Sequence, residues 1–295
     1  MSHSPIVIGI GEVLWDIFPD YQRPGGAPAN VAYHASILGN RGVIASRVGN
    51  DQLGDDLRQF FTGKQIDTQY LQVCDKYPTG VVNVEMVGDD AQYIFKSPVA
   101  WDFLELQDSW LQLAHNADAV CFGTLAQRAE KSRETIFRFL ESVPSDCLKI
   151  LDLNLRDPFY TEEVIEKSIR KADILKLNES EFQLLETMFS TIDLKNWLFE
   201  NYSMNIICLT KGKKGSELIT RDVHFIEPRY KIDTGEGDSV GVGDAFTAAL
   251  THQILREKPL EEALKSANRY AAHIAAKTGA MPEVPELVTQ SVFND

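Results

Sequence analysis

Asp238-Ser239-Val240-Gly241-Val242-Gly243-Asp244-Ala245-Phe246 places a carboxylate directly after a glycine-rich turn, at the start of an apolar helix. The helix is legible downstream: Ala245, Phe246, Ala248, Ala249, Leu250 and Ile254 recur with helical spacing, and no proline intervenes before Pro259. Its first turn carries backbone N–H groups without helical partners at the positive end of the helix dipole, and these favour an anion. Gly241 and Gly243 clear side chains from that turn. The segment reads as an anion hole with a base beside it. Taken alone, it equally suits an ordinary turn whose aspartate caps a helix.

Composition narrows the classes of function. The 295 residues are 44% hydrophobic, enough for one large core or two smaller ones. With 29 basic against 43 acidic residues, the net charge of −14 offers no field for a nucleic-acid backbone or an anionic membrane, so neither is expected as a partner. A polyanion such as ATP would have to be held by local glycine loops and a metal. Cys74, Cys121, Cys147 and Cys208 lie far apart, in or near apolar stretches, with neither metal spacing nor a disulfide framework, which suits a reducing cytoplasm. The apolar run from Pro5 to Leu14 lacks a basic leader and is far too short to span a bilayer, so it predicts a first, buried strand.

Short apolar runs alternate with longer amphipathic ones along the chain. Ile6 to Ile10, Gly42 to Val48, Ala119 to Phe122, Lys149 to Leu153, Ile174 to Leu177 and Ile206 to Thr210 predict strands buried on both faces. Between them, Ala29 to Leu38, Asp51 to Gln65, Lys131 to Ser142, Thr161 to Lys171, Glu179 to Phe189 and Ile192 to Asn201 predict helices. Such alternation specifies an α/β fold, a mostly parallel sheet with helices on both sides. Gly80 to Val87 and Ala91 to Lys96 break the rule, alternating polar and apolar residues about Gly88-Asp89-Asp90 as a hairpin with one wet face does. With a second alternating segment, Val13 to Pro19, they predict a small sheet projecting from the body as a lid, over residues 13–24 and 79–101. No internal repeat, low-complexity stretch or long linker interrupts the chain, and residues 1–295 read as one domain.

In open α/β sheets ligands bind beyond the carboxyl ends of the strands, so chemistry is sought in the loops there. Gly11-Glu12 follows the first strand, Asp16 lies shortly after, and Gly25-Gly26-Ala27-Pro28-Ala29-Asn30 opens the first helix. Asn154 and Arg156 follow Leu153, Asn178-Glu179-Ser180-Glu181 ends another strand, and Thr210-Lys211-Gly212-Lys213-Lys214-Gly215 ends a third. Each alone has a plain structural reading as a turn, a helix cap or a solvated charge. Their joint placement on strand-to-helix loops of one sheet points to a site.

Two signatures, Gly25-Gly26-Ala27-Pro28-Ala29-Asn30-Val31-Ala32 and Asp238 to Phe246, carry a family resemblance: the chain resembles the ribokinase-like (PfkB) carbohydrate kinases from first strand to last helix. Asn154 and Arg156, Asn178 to Glu181, and the Thr-x-Gly of Thr210 to Gly212 match in the expected order. The Gly-Glu-x-Leu-x-Asp opening at Gly11 to Asp16, and Asp152-x-Asn154-x-Arg156, make it look most like a fructokinase. The resemblance implies a ribokinase-like three-layer sandwich with a small lid, and ATP-dependent transfer of the γ-phosphoryl group to a sugar hydroxyl. It implies ATP and Mg²⁺ as cofactors, K⁺ as a further cation, and a homodimer through the lid, whose open edge needs covering.

By the same resemblance, Asp244 is the base that takes the proton of the attacking hydroxyl, while N–H groups from Gly241, Val242 and Gly243 to Asp244 stabilise the transferring phosphoryl group. An ordinary aspartate pKa of about 4 makes it a weak base at neutral pH, tolerable where positioning supplies most of the catalysis. Arg156 suits a bidentate contact that neutralises the moving phosphate and equally a structural ion pair. Asp16, Gly25, Gly26 and Asn30 are similar to the family's sugar contacts; from their place on a loop after another strand Thr124 and Gln127 are expected to reach the sugar too, and Tyr93 and Phe95, on one face of the hairpin, suit a cover over the sugar and equally a lid core or a dimer contact. Asn178, Thr210, Gly212 and Gly215 resemble nucleotide contacts, with Asn268 and the helix following it as part of the adenine pocket. Glu181 acts with Asn178 on Mg²⁺ through water, and Asp238, Val240, Ala276 and Gly279 match positions that line the K⁺ site in many members.

Two local features bear on rate and register. The family's Asp-Thr-x-Gly-Ala-Gly-Asp is here Asp-Ser-x-Gly-Val-Gly-Asp; Ser239 keeps the hydroxyl, and β-branched Val242 restricts the backbone while still offering its N–H. Asp233-Thr234-Gly235-Glu236-Gly237-Asp238 is a near-copy without the spacer or the Ala-Phe helix start, and Glu236 would set negative charge near the hole, so that register is rejected. A ribokinase, a nucleoside kinase, a 2-keto-3-deoxygluconate kinase and a catalytically silent sugar-binding regulator stay open, although an intact Asp244 opposes the last. A dinucleotide-binding oxidoreductase is opposed by the missing third glycine after Gly9-Ile10-Gly11 and by Glu12.

Overall fold

A strand covered on both faces has no wet side to alternate toward, and the continuous apolar runs accordingly become the parallel strands of a central sheet. The computed structural model describes residues 4–87, 90–232, 237–238 and 240–293. Its strands are β1 (Ile6–Ile10), β2 (Leu14–Ile17), β3 (Gln22–Gly25), β4 (Arg41–Gly49), β5 (Leu71–Cys74), β6 (Gly80–Val87), β7 (Asp90–Phe95), β8 (Ala119–Phe122), β9 (Leu148–Asp152), β10 (Ile174–Asn178), β11 (Ile206–Thr210), β12 (Ser216–Ile219) and β13 (His224–Glu227). Among the described residues the larger sheet has nine strands, in the order β13-β12-β11-β10-β9-β8-β1-β4-β5. Pairings from β11 through to β5 are parallel, and β12 and β13 add an antiparallel edge.

Alternate residues of each central strand feed opposite apolar layers. Ile6, Ile8 and Ile10 of β1 join Val120, Phe122, Ile136 and Phe139 on one side, whereas Val7 joins Ala119, Cys121, Ala248 and Ala267 on the other. The molecule is thus an α/β fold of helix, sheet and helix layers. Chain order runs outward from β1 in both directions, with β4 and β5 to one side and β8 to β11 to the other. That reversal opens a crevice beyond the carboxyl ends of the strands, where such sheets receive ligands.

Among the described residues the smaller sheet has four strands in the order β3-β2-β6-β7. β2 pairs antiparallel with β3 and parallel with β6, and β6 pairs antiparallel with β7. The expected hairpin is β6–β7; Gly88 and Asp89 of its turn lie outside the described residues. β5, β12 and β13 are not expected from the sequence: Gln72 interrupts Leu71–Cys74, Ser216 and Glu217 bring polar residues into β12 although all four of its residues are buried, and β13 alternates exposed and half-buried positions. No helix among the described residues is long and apolar enough to cross a membrane.

Candidate active site

The amino end of helix Val242–Ile254 meets residues that follow or end β1, β9, β10 and β11. Gly241 caps that helix at φ 72°, a left-handed conformation that a β-carbon would strain. The first helical bond runs from Ala245 N–H to Gly241 O at 2.9 Å, so the N–H groups of Val242, Gly243 and Asp244 have no acceptor within the helix. No side chain among the described residues caps the turn. A polar cavity of about 380 Å³ and a more apolar one of about 300 Å³ flank it, and Val242 and Gly243 belong to the walls of both.

Asp16, Gly26, Asn30, Arg156 and Asp244 line the polar cavity, together with Glu12 and with Tyr93 and Phe95 of the small sheet. Asn30 donates from Nδ2 to Asp244 Oδ2 at 2.6 Å, which orients the carboxylate. Glu12 Oε2 and Asn30 Oδ1 are buried without a hydrogen-bond partner among the described residues. Orphaning such an acceptor costs about 1–3 kcal/mol. Hydroxyl groups of a bound ligand would satisfy both.

Three carboxyl groups here resist ionisation. Burial, reinforced by the charge of Asp152, raises Asp244 to about 7 against the pull of Lys176, Asn30 and Arg156. Burial also lifts Glu12 to about 7 and Asp16 to about 6. The expectation of an ordinary aspartate at position 244 is therefore corrected: a motif shows which residues are adjacent in sequence, not how far they are from water.

Lys176 was not singled out from the sequence. Its Nζ donates to Asp152 Oδ1 at 2.9 Å and Oδ2 at 2.7 Å, and it lines the polar cavity. A β-carbon on residue 243 would fall 2.8 Å from that nitrogen, so glycine there leaves room for a buried cation beside the anion hole. Burial opposes its charge, yet Asp152 and Asp244 hold the Lys176 pKa above its usual value. The available signal was a lone lysine inside Ile174-Leu175-Lys176-Leu177, since a charge in a buried strand requires a partner. Glu12, which the sequence places after the first strand without a role at the site, stands in the wall of the polar cavity.

Asn178, Thr210, Gly212, Gly215 and Asn268 line the second cavity with Ala271, Ala272 and Ala275. Asn268 lies within helix Leu260–Ala275 and donates to Ser216 Oγ at 2.7 Å, so the helix that contains it, not one following it, forms that wall. The structure does not bring every expected residue to a cavity. Gly25 sits in β3, where a β-carbon would strike Asp16 Oδ2 at 2.5 Å, and so makes space for that aspartate. Thr124 and Gln127 are buried and committed to the protein: Thr124 donates to Leu153 O at 3.0 Å, and Gln127 donates to Gly123 O at 2.7 Å and accepts from Ser168 Oγ at 3.0 Å. Leu125 lines the polar cavity from that loop instead.

Glu181 lines neither cavity. Its two oxygens accept from Leu155 N–H at 2.9 Å and Asn178 N–H at 2.8 Å, and its own N–H donates to Asn178 Oδ1 at 2.9 Å, which completes a capping box. Among the described residues no group of three His, Cys, Asp or Glu side chains is arranged to hold a metal. Asp238 and Val240 line the polar cavity, whereas Ala276 and Gly279 do not. Ser239, and Asp233 to Glu236 of the near-copy, lie outside the described residues.

A model described as pfkB family carbohydrate kinase matches residues 20–287. A sugar kinase of Pyrococcus horikoshii is 32% identical over 294 residues, 93% of this chain and 91% of the relative. Fructokinase-1 of Oryza sativa subsp. japonica is 29% identical over 314 residues, covering 96% of each. A fructokinase of Xylella fastidiosa, solved with bound ATP, shares the fold at a TM-score of 0.88 and 20% identity over 97% of both chains. With that match spanning nearly the whole chain and both signatures, the protein belongs to the pfkB family of carbohydrate kinases and is an ATP-dependent sugar kinase.

Proposed function

We propose that the protein phosphorylates fructose, with ATP bound in the apolar cavity and the sugar in the polar one. The observation that carries this is the seam: Asp244 stands at the start of a helix whose Val242 and Gly243 wall both cavities. The fructokinase motifs in the sequence and the fructokinase relatives support fructose as the acceptor.

Asp16, Gly26 and Asn30 would bind the sugar hydroxyls, with Glu12 Oε2 and Asn30 Oδ1, which have no partner among the described residues, as further acceptors. Asp244 takes the proton of the attacking hydroxyl. A base whose pKa is about 7 is well matched to neutral pH. The N–H groups from Gly241 to Asp244 stabilise charge on the phosphoryl group, and Lys176 adds positive charge beside them. Arg156, exposed at the edge of the polar cavity, neutralises the same group. Asn178, Thr210, Gly212 and Gly215 hold the nucleotide's polar portion, and Ala271, Ala272 and Ala275 pack on its base. A magnesium ion, held chiefly by phosphate oxygens and water, supplies charge neutralisation when bound, with Glu181 acting from behind the Asn178 cap.

The test is a panel of fructose, ribose, adenosine and 2-keto-3-deoxygluconate with ATP and Mg²⁺, compared by kcat/KM. Fructose is expected to lead. A strong preference for any of the other three would overturn the substrate while leaving the kinase assignment intact.

A further inference from the structure

We propose that the guanidinium of Arg23 stands where a monovalent cation would neutralise Asp238, so that this chain orders its anion hole without potassium. A hard cation in that place would need carboxylate and carbonyl oxygens turned toward it. The structure surrounds the carboxylate with donors instead. Gly279 N–H lies 3.1 Å from Asp238 Oδ1 and 3.0 Å from Oδ2, Val240 N–H lies 3.2 Å from Oδ1, and Arg23 Nη1 donates to Oδ2. Three donors, one of them shared between both oxygens, and a fixed positive charge leave this carboxylate little lone-pair capacity and no net negative charge to offer a cation. The residues present do not fit the ion.

Arg23 is held for this position. It belongs to β3, and its guanidinium lies 4.6 Å from the ring of Tyr21 and 5.6 Å from that of Phe18, which stack on each other at 4.5 Å. The Arg23 and Asp238 side chains are 25% and 30% exposed, so solvent and salt screen the pair less than a fully exposed one. The loop it reaches bears on the anion hole, because a β-carbon on Gly241 would fall 2.6 Å from Ala280 Cα. Protein donors brace that loop as well: His34 Nε2 donates to Ala280 O at 2.9 Å, and Tyr33 OH donates to Pro282 O at 2.6 Å. An arginine from the small sheet thereby ties the sugar-side elements to the phosphoryl-binding turn.

The inference rests on the ATP-dependent kinase assignment and not on the identity of the sugar. The test compares full-length enzyme in N-methylglucamine chloride and in potassium chloride of equal ionic strength, reading ADP–Mg affinity by calorimetry and thermal midpoint beside the sugar-phosphorylation rate. For the natural chain, ADP affinity is expected to differ by less than about twofold between the salts, well below the range usual for coupled sites. Arg23→Ala is expected to bind ADP about tenfold more weakly in N-methylglucamine and to be restored by potassium, making the two ligands reciprocally linked. A saturable potassium gain of about fivefold or more in the natural chain would overturn the proposal. A loss in Arg23→Ala that potassium leaves unrepaired would also overturn it, reducing Arg23 to an anchor of the small sheet. The titration of the natural chain decides the matter even if the variant folds poorly.

Discussion

Asp244 keeps its proton to about pH 7 because burial and the Asp152 charge outweigh the cations and the Asn30 amide beside it. For the free enzyme, kcat/KM for the sugar is therefore expected to fall on the acid side through an apparent pKa near 7, and a limb near the ordinary aspartate value would contradict it. Asp244→Asn is expected to lower kcat by roughly 10² or more, and near-normal turnover would remove this residue from the chemistry. Lys176→Met tests the neighbouring cation. Lys176 lowers the Asp244 pKa, so its loss should move the acid limb upward as well as reduce kcat by about 10². A limb that stays in place with full turnover would make Lys176 a purely structural partner of Asp152. Of this site, the sequence made Asp244 and Asn30 legible because they sit in ordered motifs. It left Thr124 and Gln127 misplaced, since a position after a strand does not show which way a side chain turns.

Helix Val242–Ile254 meets a demand at its first turn that opposes its own stability. Alanine is ordinarily the better helix former than glycine, by about 1 kcal/mol in a helix interior. At position 243, however, a β-carbon would fall 2.8 Å from a lysine nitrogen already pinned by Asp152. Gly243→Ala is expected to leave the thermal midpoint nearly unchanged while kcat falls about tenfold through a displaced Lys176, a separation that parallel melting and rate measurements would show. Equal loss of both would mean that the turn itself had broken. The same contrast explains which elements the sequence revealed. β1 and β8 are buried throughout and carry unbroken apolar runs, and β9, β10 and β11 keep apolar cores interrupted by Lys149 and Asp152, by the buried Lys176, and by polar ends. β12 and β13 lie at the edge, where Glu217, His224 and Glu227 interrupt the pattern, and they escaped notice.

Across the whole molecule, buried carboxyl groups favour the folded state at lower pH, while His34 and His252, depressed by burial to about 4 and about 3, act the other way below their unfolded value of 6.5. Glu12, Asp16 and Asp244 have folded pKa values raised to about 7, 6 and 7, so above their unfolded values the unfolded chain has released protons that the folded chain retains. Their contribution is fully present below the unfolded values, near about 4, and is lost as pH rises to about 7. Glu217 works in the other direction: burial would raise it, but Lys211, His224 and Lys195 hold it at about 2, so its contribution is lost only in strong acid. The ligand-free enzyme is expected to melt higher near about pH 5.5 than near about pH 8, and Glu12→Gln should flatten that slope; a midpoint rising with pH would contradict the account. The shared wall of the two cavities carries one last consequence. Val242 and Gly243 separate the compartments, while the unfilled acceptors on Glu12 and Asn30 suit water as well as a sugar alcohol. In the proposed mechanism Asp244 would deprotonate either nucleophile, so thrift with ATP becomes a matter of tenancy: the sugar would protect the nucleotide from hydrolysis by occupying the room that water would otherwise use.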